Sequence, residues 1–255
     1  MLFPLIYNAH VKNIALILAG GSGERFQSPV PKQFLKIAGR PLLGICLEAF
    51  QRHPGIDGIV LVCTADRLTQ AEKIASGPGF SKVIMVVPGG KTRQESSFIG
   101  IGAAPAGAER VLIHDAARAI VPEEVISRVL EAVAKAPAVM PVLPAGDTTV
   151  RVDDRGEVMA VLDREKLRRV QTPQGFKLEI IRRAHELARR EGYADASDDC
   201  SLVLRYNLAP VTTVAGDPQN IKVTYPQDLI VAGLLLKAHR PSAGRDKRQK
   251  SKGKS

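Results

Sequence analysis

The first apolar run of the chain ends in Leu18-Ala-Gly-Gly-Ser-Gly-Glu-Arg25, a glycine-rich turn followed by a cation. Glycines after a first parallel strand let backbone N–H groups approach a phosphate chain with no Cβ in the way. The turn therefore reads as a phosphate loop. It is not the dinucleotide form, since G-x-G-x-x-G would need glycine where Phe26 stands, and it lacks the GK[ST] of a P-loop. Arg25 follows the glycines, and Lys32 lies in Pro31-Lys32-Gln33 on backbone stiffened by Pro29 and Pro31. Cations held beside such a loop would neutralise a triphosphate. Asp115 ends a later apolar run, at the edge where open α/β sheets bind ligands, although a carboxylate there could equally cap the next turn. His114, just before it, reads as a packed strand residue.

The elements that must position these groups are legible as periodic patterns. Asn13–Leu18, Gly58–Cys63, Lys82–Val87, Val111–His114 and Ala138–Leu143 are short apolar runs typical of strands buried on both faces. Between them, Leu42–Arg52, Arg67–Ala75, Thr92–Ala104 and Pro122–Lys135 have helical spacing, with Pro122 suited to a first helical turn. Strand and helix alternate, which predicts an α/β fold with a doubly wound, mostly parallel sheet flanked by helices. The alternation breaks at Asp147–Leu162, where polar and apolar residues alternate about Asp-Asp-Arg-Gly, the pattern of a protruding two-stranded ribbon. An isolated ribbon is marginal in water, so it needs a partner, and a second subunit is the natural one. Helices near Leu178–Glu191 and Asp198–Tyr206, a strand near Pro210–Val214 and a helix from Pro226 to Lys237 complete the chain.

With 255 residues, 45% of them hydrophobic and 24% charged, the composition excludes disordered, collagenous and disulfide-scaffold classes. Trp is absent and aromatics make up 4%, too few for stacking platforms on nucleic acid. The net charge of +10 is concentrated at one end: eight Lys and Arg residues against Asp246 lie in residues 237–255. That tail reads as a disordered, solubilising segment, with contact to nucleic acid as the less favoured alternative. Cys46, Cys63 and Cys200 show no metal or disulfide spacing and point to a reducing cytoplasm. The apolar start lacks a basic leader region and no run reaches the length of a membrane span. The expected organisation is an extension over residues 1–11, a catalytic domain over 12–238 with an arm at about 144–164, and a basic tail over 239–255.

Leu18-Ala-Gly-Gly-Ser-Gly-Glu-Arg-Phe, four residues on Pro-Lys-Gln-Phe-Leu-Lys-Ile-Ala-Gly-Arg-Pro-Leu-Leu, resembles the start of sugar-nucleotide-type pyrophosphorylases. Four more motifs follow in order: GG-x2-R-x2-S from Gly89 to Ser96, His-Asp-Ala-Ala-Arg118, Thr172-Pro-Gln-x-Phe176 and Asn220-Ile-Lys-Val-Thr224. Together they resemble the 2-C-methyl-D-erythritol 4-phosphate cytidylyltransferase family of the non-mevalonate isoprenoid pathway, over roughly residues 11–238. The resemblance implies CTP and a small polyol phosphate as substrates, a divalent cation such as Mg2+, and a homodimer. It implies that Arg25 and Lys32 grip the triphosphate while Arg164 and Lys222 hold the acceptor phosphate, with Arg164 delivered by the ribbon to the other subunit. It further assigns Ala19, Gly20, Gly21, Gly23, Gly90 and Ser96 to the nucleotide, and Asp115 to substrate hydroxyls or the metal. Ala116, Arg118, Thr148 and Thr172 complete the set.

Two positions and one run depart from the family pattern: Ala119 where proline is common, Lys91 where an acid is frequent, and Ser197-Asp198-Asp199 in place of a common Thr-Asp-acid run. The phosphate-binding cations are unaffected by them. A cytidylyltransferase for another polyol phosphate, such as ribitol 5-phosphate, shares most of these motifs. A basic binding protein on an inactive transferase fold is a third class, but it has no physical need for four separated cations at those positions.

Overall fold

The computed structural model describes residues 11–21, 26 and 31–238. Gly23, Arg25, the first ten residues and the basic tail from residue 239 lie outside the described residues.

The chain opens with β1 (Asn13–Ala19), a hairpin of β2 (Lys36–Ile37) and β3 (Arg40–Pro41), then α1 (Leu42–Arg52) and β4 (Gly58–Cys63). There follow α2 (Leu68–Ala75), β5 (Val83–Pro88), α3 (Arg93–Gly102), β6 (Arg110–Asp115), α4 (Glu123–Val133) and β7 (Ala138–Pro144). A ribbon of β8 (Val150–Val152) and β9 (Val158–Val161) precedes β10 (Arg168–Val170), β11 (Gln174–Lys177), α5 (Leu178–Glu191) and α6 (Asp199–Arg205). The last elements are β12 (Val211–Ala215) and α7 (Pro226–Ala238).

β5, β4, β1 and β6 pair in parallel, in that spatial order. β11 then enters antiparallel between β6 and β7, and β12 closes the far edge parallel to β7. β10 lies on the same side of β7 as β11, so residues 168–177 form one extended antiparallel insertion. The mostly parallel sheet agrees with the sequence reading, which did not anticipate this insertion. Arg168-Arg169-Val170 has no apolar alternation, and its three side chains are exposed; backbone pairing with β7, not burial, makes it a strand.

Alternation along β1 explains the layers. Ala15, Ile17 and Ala19 face one apolar cluster with residues of α1, α2 and α4, while Ile14, Leu16 and Leu18 face a second with α3, α5 and α6. A strand buried on both faces is apolar throughout, as its sequence is. α3 lies so close to the sheet that a Cβ on Gly100 would fall 2.2 Å from Leu16 Cδ1 and 2.8 Å from Val62 Cγ2. Thr92 caps α3 by accepting from the Glu95 N–H at 3.0 Å. Pro122 sits one position outside α4 rather than in its first turn, with extended ψ of 145°. The ribbon pairs Val150 with Val161 and Val152 with Val158, and all four valines are exposed.

Candidate active site

At the carboxyl ends of the parallel strands lies a cavity of about 460 Å³. Ala19, Gly20 and Gly21 from the first loop, Lys32, Ser96, Asp115, Ala116 and Lys222 all line it, as expected from the sequence. Gln33, Lys91, Thr92, Arg93 and Thr224 line it as well. Residues more than 200 positions apart in the chain thus converge where three crossovers leave the sheet, the place where open α/β folds bind ligands.

The glycine loop is held from behind. Gln33, 2% exposed, donates from Nε2 to the carbonyls of Ala19 at 2.5 Å and Gly21 at 3.3 Å. This fixes two carbonyls at the start of the loop. Gly90 does not line the cavity, but its N–H donates to Ser96 Oγ at 3.2 Å, and a Cβ there would fall 2.2 Å from Glu95 Cγ. The Lys91 N–H is tied to Glu95 Oε2 at 2.8 Å, so the turn entering α3 is closely defined.

Asp115 stands at the centre. Its Oδ1 accepts from Arg93 Nε at 3.0 Å and its Oδ2 from Lys222 Nζ at 2.7 Å. Burial opposes the carboxylate's charge, but Arg93 and then Lys222 outweigh it and hold the group well below the usual carboxylate range. The side chain is therefore ionised and oriented by two cations, not spent on a helix cap.

Arg93 reaches further. Its Nη1 donates to Asp199 Oδ2 at 2.7 Å, and Asp199, 1% exposed, also accepts from Ser97 Oγ at 2.5 Å and meets His185 Nε2 at 2.9 Å. Burial penalises Asp199 too, and Arg93, His185 and Ser97 overcome it, leaving its acidity strongly enhanced. Arg93 in turn is desolvated yet held charged by Asp199 and Asp115. A partly buried guanidinium thus bridges one carboxylate in the core and one in the cavity. The sequence reading missed Arg93, although the GG-x2-R-x2-S motif contains it, because its partner in α6 is 106 residues away. It also treated Asp198-Asp199 only as a departure; Asp198 caps α6 through Ser201 N at 2.8 Å, and Asp199 anchors Arg93.

Arg118 and Thr172 do not line the cavity but position what does. Arg118 donates to the carbonyls of Asn220 at 2.9 Å and Val170 at 3.2 Å. Asn220 Nδ2 donates to the Thr172 carbonyl at 2.7 Å, and Val223 N donates to the Ala117 carbonyl at 2.9 Å. These bonds clamp the segment bearing Lys222. Thr172 Oγ1 accepts from Asp115 N at 3.1 Å and lies 3.0 Å from His114 Nδ1. His114 is fully buried, and burial pushes its pKa down to about 4, so it is a neutral packed residue near neutral pH. Thr148 and Arg164 are exposed on the arm and do not line the cavity of their own chain.

Among the described residues no group of three or more His, Cys, Asp or Glu side chains could hold a metal ion. Asp115 is the only acid lining the cavity among those residues. One carboxylate fits Mg2+ that is otherwise ligated by nucleotide phosphates and water, the usual arrangement at such sites.

Residues 13–238 match the family model of 2-C-methyl-D-erythritol 4-phosphate cytidylyltransferase. The chain is 42% identical over 230 residues to the 2-C-methyl-D-erythritol 4-phosphate cytidylyltransferase of Thermobifida fusca, covering 88% of this chain and 92% of that one. It is 38% identical over 228 residues to the ribitol-5-phosphate cytidylyltransferase of Vibrio parahaemolyticus, covering 88% and 95%. Among solved structures, the 4-diphosphocytidyl-2C-methyl-D-erythritol synthase of Anaerococcus prevotii superposes with a TM-score of 0.78 at 29% identity, covering 89% of this chain and 98% of that one.

Proposed function

The chain belongs to the 2-C-methyl-D-erythritol 4-phosphate cytidylyltransferase family, and we propose that its two substrates meet in the cavity around Asp115. The enzyme transfers CMP from CTP to 2-C-methyl-D-erythritol 4-phosphate, giving 4-diphosphocytidyl-2-C-methyl-D-erythritol and pyrophosphate. An oxygen of the acceptor phosphate bonds to the α-phosphorus of CTP. The bond from that phosphorus to the oxygen bridging to the β-phosphorus breaks, and pyrophosphate leaves with its electron pair. The attacking oxygen is already an anion, so no general base is needed and catalysis reduces to positioning and charge stabilisation.

The observation that carries this site assignment is the cavity's charge. Among the described residues, Lys32, Lys91, Arg93 and Lys222 line it against Asp115 alone, beside a glycine loop. Lys32, with Arg25, grips the triphosphate and stabilises charge developing on the leaving oxygens. Backbone groups of Ala19, Gly20, Gly21 and Gly23 follow the phosphates, while Ser96, held by the Gly90 N–H, faces cytosine and ribose. Lys222 and Arg164 hold the acceptor phosphate. Asp115, pinned by Arg93 and Lys222, presents its carboxylate to hydroxyls or to Mg2+. When bound, Mg2+ supplies charge neutralisation between the nucleotide phosphates, and Asp115 is the side chain that would hold it.

The ribbon's four exposed valines and its neighbour Arg164 support a homodimer in which each arm reaches the partner's cavity. Cys46, Cys63 and Cys200 are free and buried, which suits a reducing cytoplasm. No described helix is long and apolar enough to cross a membrane.

Pyrophosphate release, measured with each nucleoside triphosphate against each polyol phosphate, tests the reading. Turnover should require CTP and 2-C-methyl-D-erythritol 4-phosphate. The similarity to the Vibrio parahaemolyticus protein makes ribitol 5-phosphate the competing acceptor; a higher kcat/KM with it would replace the acceptor while leaving the reaction class intact.

A further inference from the structure

α3 separates two cavities. Its residues Arg93 and Ser96 line the one around Asp115, while Gln94, Glu95, Phe98 and Ile99 line a second of about 610 Å³. Positions i, i+1, i+4 and i+5 share one face of a helix, so the two sets of side chains diverge. The second volume lies within the range of small-molecule sites.

Its opposite wall is α5 and the turn that follows. His185 and Arg189, four residues apart, present one face of that helix. Gly192 ends it in the left-handed region at φ 73°, and the Tyr193 N–H returns to the Ala188 carbonyl at 2.9 Å. Gln94, which is buried, ties this turn to α3: its Nε2 donates to the Tyr193 carbonyl at 2.7 Å and its Oε1 accepts from the Ala196 N–H at 3.1 Å. The two walls are therefore joined before any ligand arrives.

The lining combines flat rings with uncompensated positive charge. The Phe98 and His185 ring centroids are 6.2 Å apart, with the rings inclined at 43°. His185 Nε2 is taken by Asp199, so the ring contributes its face. Arg189 lies over the Phe98 ring at 4.5 Å, and Lys91 lines the same cavity. Among the described residues neither cation makes an ion pair. The acids flanking Arg189 on α5 are engaged elsewhere, Glu186 with Arg183 and Glu191 with Arg205. Glu95, the one acid lining the cavity among the described residues, accepts the Lys91 N–H at 2.8 Å.

We propose that the cavity between α3 and α5 is a second ligand site, for a small planar aromatic anion. Its ring lies against Phe98 and His185, and its carboxylate or phosphate is paired by Arg189 and Lys91. Guanidinium groups suit both demands, since they stack on rings and bind such anions in a bidentate manner. Lys91 and Thr92 line both cavities. A lysine engaged by an anion on one side of α3 is withdrawn from phosphates on the other, so the ligand and CTP each weaken the other's binding by the same factor. That coupling rests on the nucleotide reading above; the site itself does not.

The test titrates 2-naphthoate into the full-length protein, followed by ligand-observed NMR. Saturable binding with a Kd of about a millimolar or tighter is expected, with acetate and the neutral 2-naphthalenemethanol roughly tenfold weaker. Arg189→Ala, on an exposed side chain remote from Asp115, should weaken 2-naphthoate about tenfold and leave kcat for CMP transfer unchanged. Phe98→Leu should weaken it while keeping apolar volume. Saturating CTP should raise the Kd about threefold or more, and Lys91→Met should remove that effect. Absence of saturable binding, equal binding of the neutral alcohol, or an unchanged Kd in Arg189→Ala would overturn the proposal, the last by placing the compound elsewhere, as in the cavity around Asp115. Binding that ignores CTP, or coupling that survives in Lys91→Met, overturns the shared lysine while the site stands. Failure of the site leaves CMP transfer, read by pyrophosphate release, untouched.

Discussion

Replacing Arg93 by Met removes the cation that joins the core carboxylate to the cavity carboxylate, at nearly the same side-chain length. Asp115 keeps Lys222, but Asp199, 1% exposed, keeps only Ser97 and His185. Leaving a buried charge without its main partner costs about 3–5 kcal/mol; the two surviving hydrogen bonds place the expected loss near the lower limit, about 3 kcal/mol. For a domain of this size that corresponds to a fall in Tm of roughly 6–12 °C. Urea denaturation at pH 7 measures it directly.

The pH dependence gives an independent check. In the wild type Asp199 and Asp115 have lowered pKa values, so their stabilising contribution is complete above the unfolded value of about 3.9 and is lost as pH falls through the lower folded values. In the variant Asp199 is desolvated without its cation, and protonation relieves it. The stability deficit should therefore be greatest at neutral pH and narrow below about pH 5. Asp199→Asn combined with Arg93→Met should cost less than the sum of the single changes. Turnover should fall about tenfold to a hundredfold, since Asp115 loses one of its two orienting bonds. A loss under about 1 kcal/mol, or additive single changes, would refute the account of Arg93 as the bridge.

Lys32→Ala should lower kcat by roughly 10²–10³, about 2.7–4 kcal/mol, in a steady-state pyrophosphate assay; unchanged kcat would remove Lys32 from the triphosphate. Arg164→Ala should chiefly raise KM for the polyol phosphate, and mixed refolding with Lys32→Ala chains should restore about a quarter of wild-type activity, because half the dimers are mixed and each holds one intact site. Recovery no greater than the parents' average, with mixing verified by mass, would place Arg164 in its own chain's site. Gly100→Ala forces a Cβ to within 2.2 Å of Leu16, and thermal unfolding should show a loss of about 1–3 kcal/mol from overpacking. Deleting residues 241–255, which contain six Lys and Arg residues, should reduce retention on a polyanion column at low salt while kcat stays within about twofold.

The order of strands and helices was readable because it is encoded in near neighbours. The apolar runs of β1, β4 and β6, and the helical spacing of α1 and α4, follow from the two periodicities of a polypeptide. The glycines after Leu18 and the prolines about Lys32 marked the loop for similarly local reasons. Ala19, Gly20, Gly21, Lys32, Ser96, Asp115, Ala116 and Lys222 were all named from motifs, and all line one cavity. Other features depended on groups far apart in the chain. Residues 168–177 became an antiparallel insertion because β6 and β7 left a backbone edge to fill, which no pattern within Arg168-Arg169-Val170 announces. Arg93 acquired its role only when α6 brought Asp199 to within 2.7 Å, with His185 of α5 behind it. Arg118, expected to brace the site, found its partners in Asn220 and Val170, and Thr172 supports Asp115 from 57 residues away. A local pattern fixes which face of an element is apolar or which turn it can make. Which charges meet in a desolvated interior is decided by packing, because only there does a distant partner outweigh water.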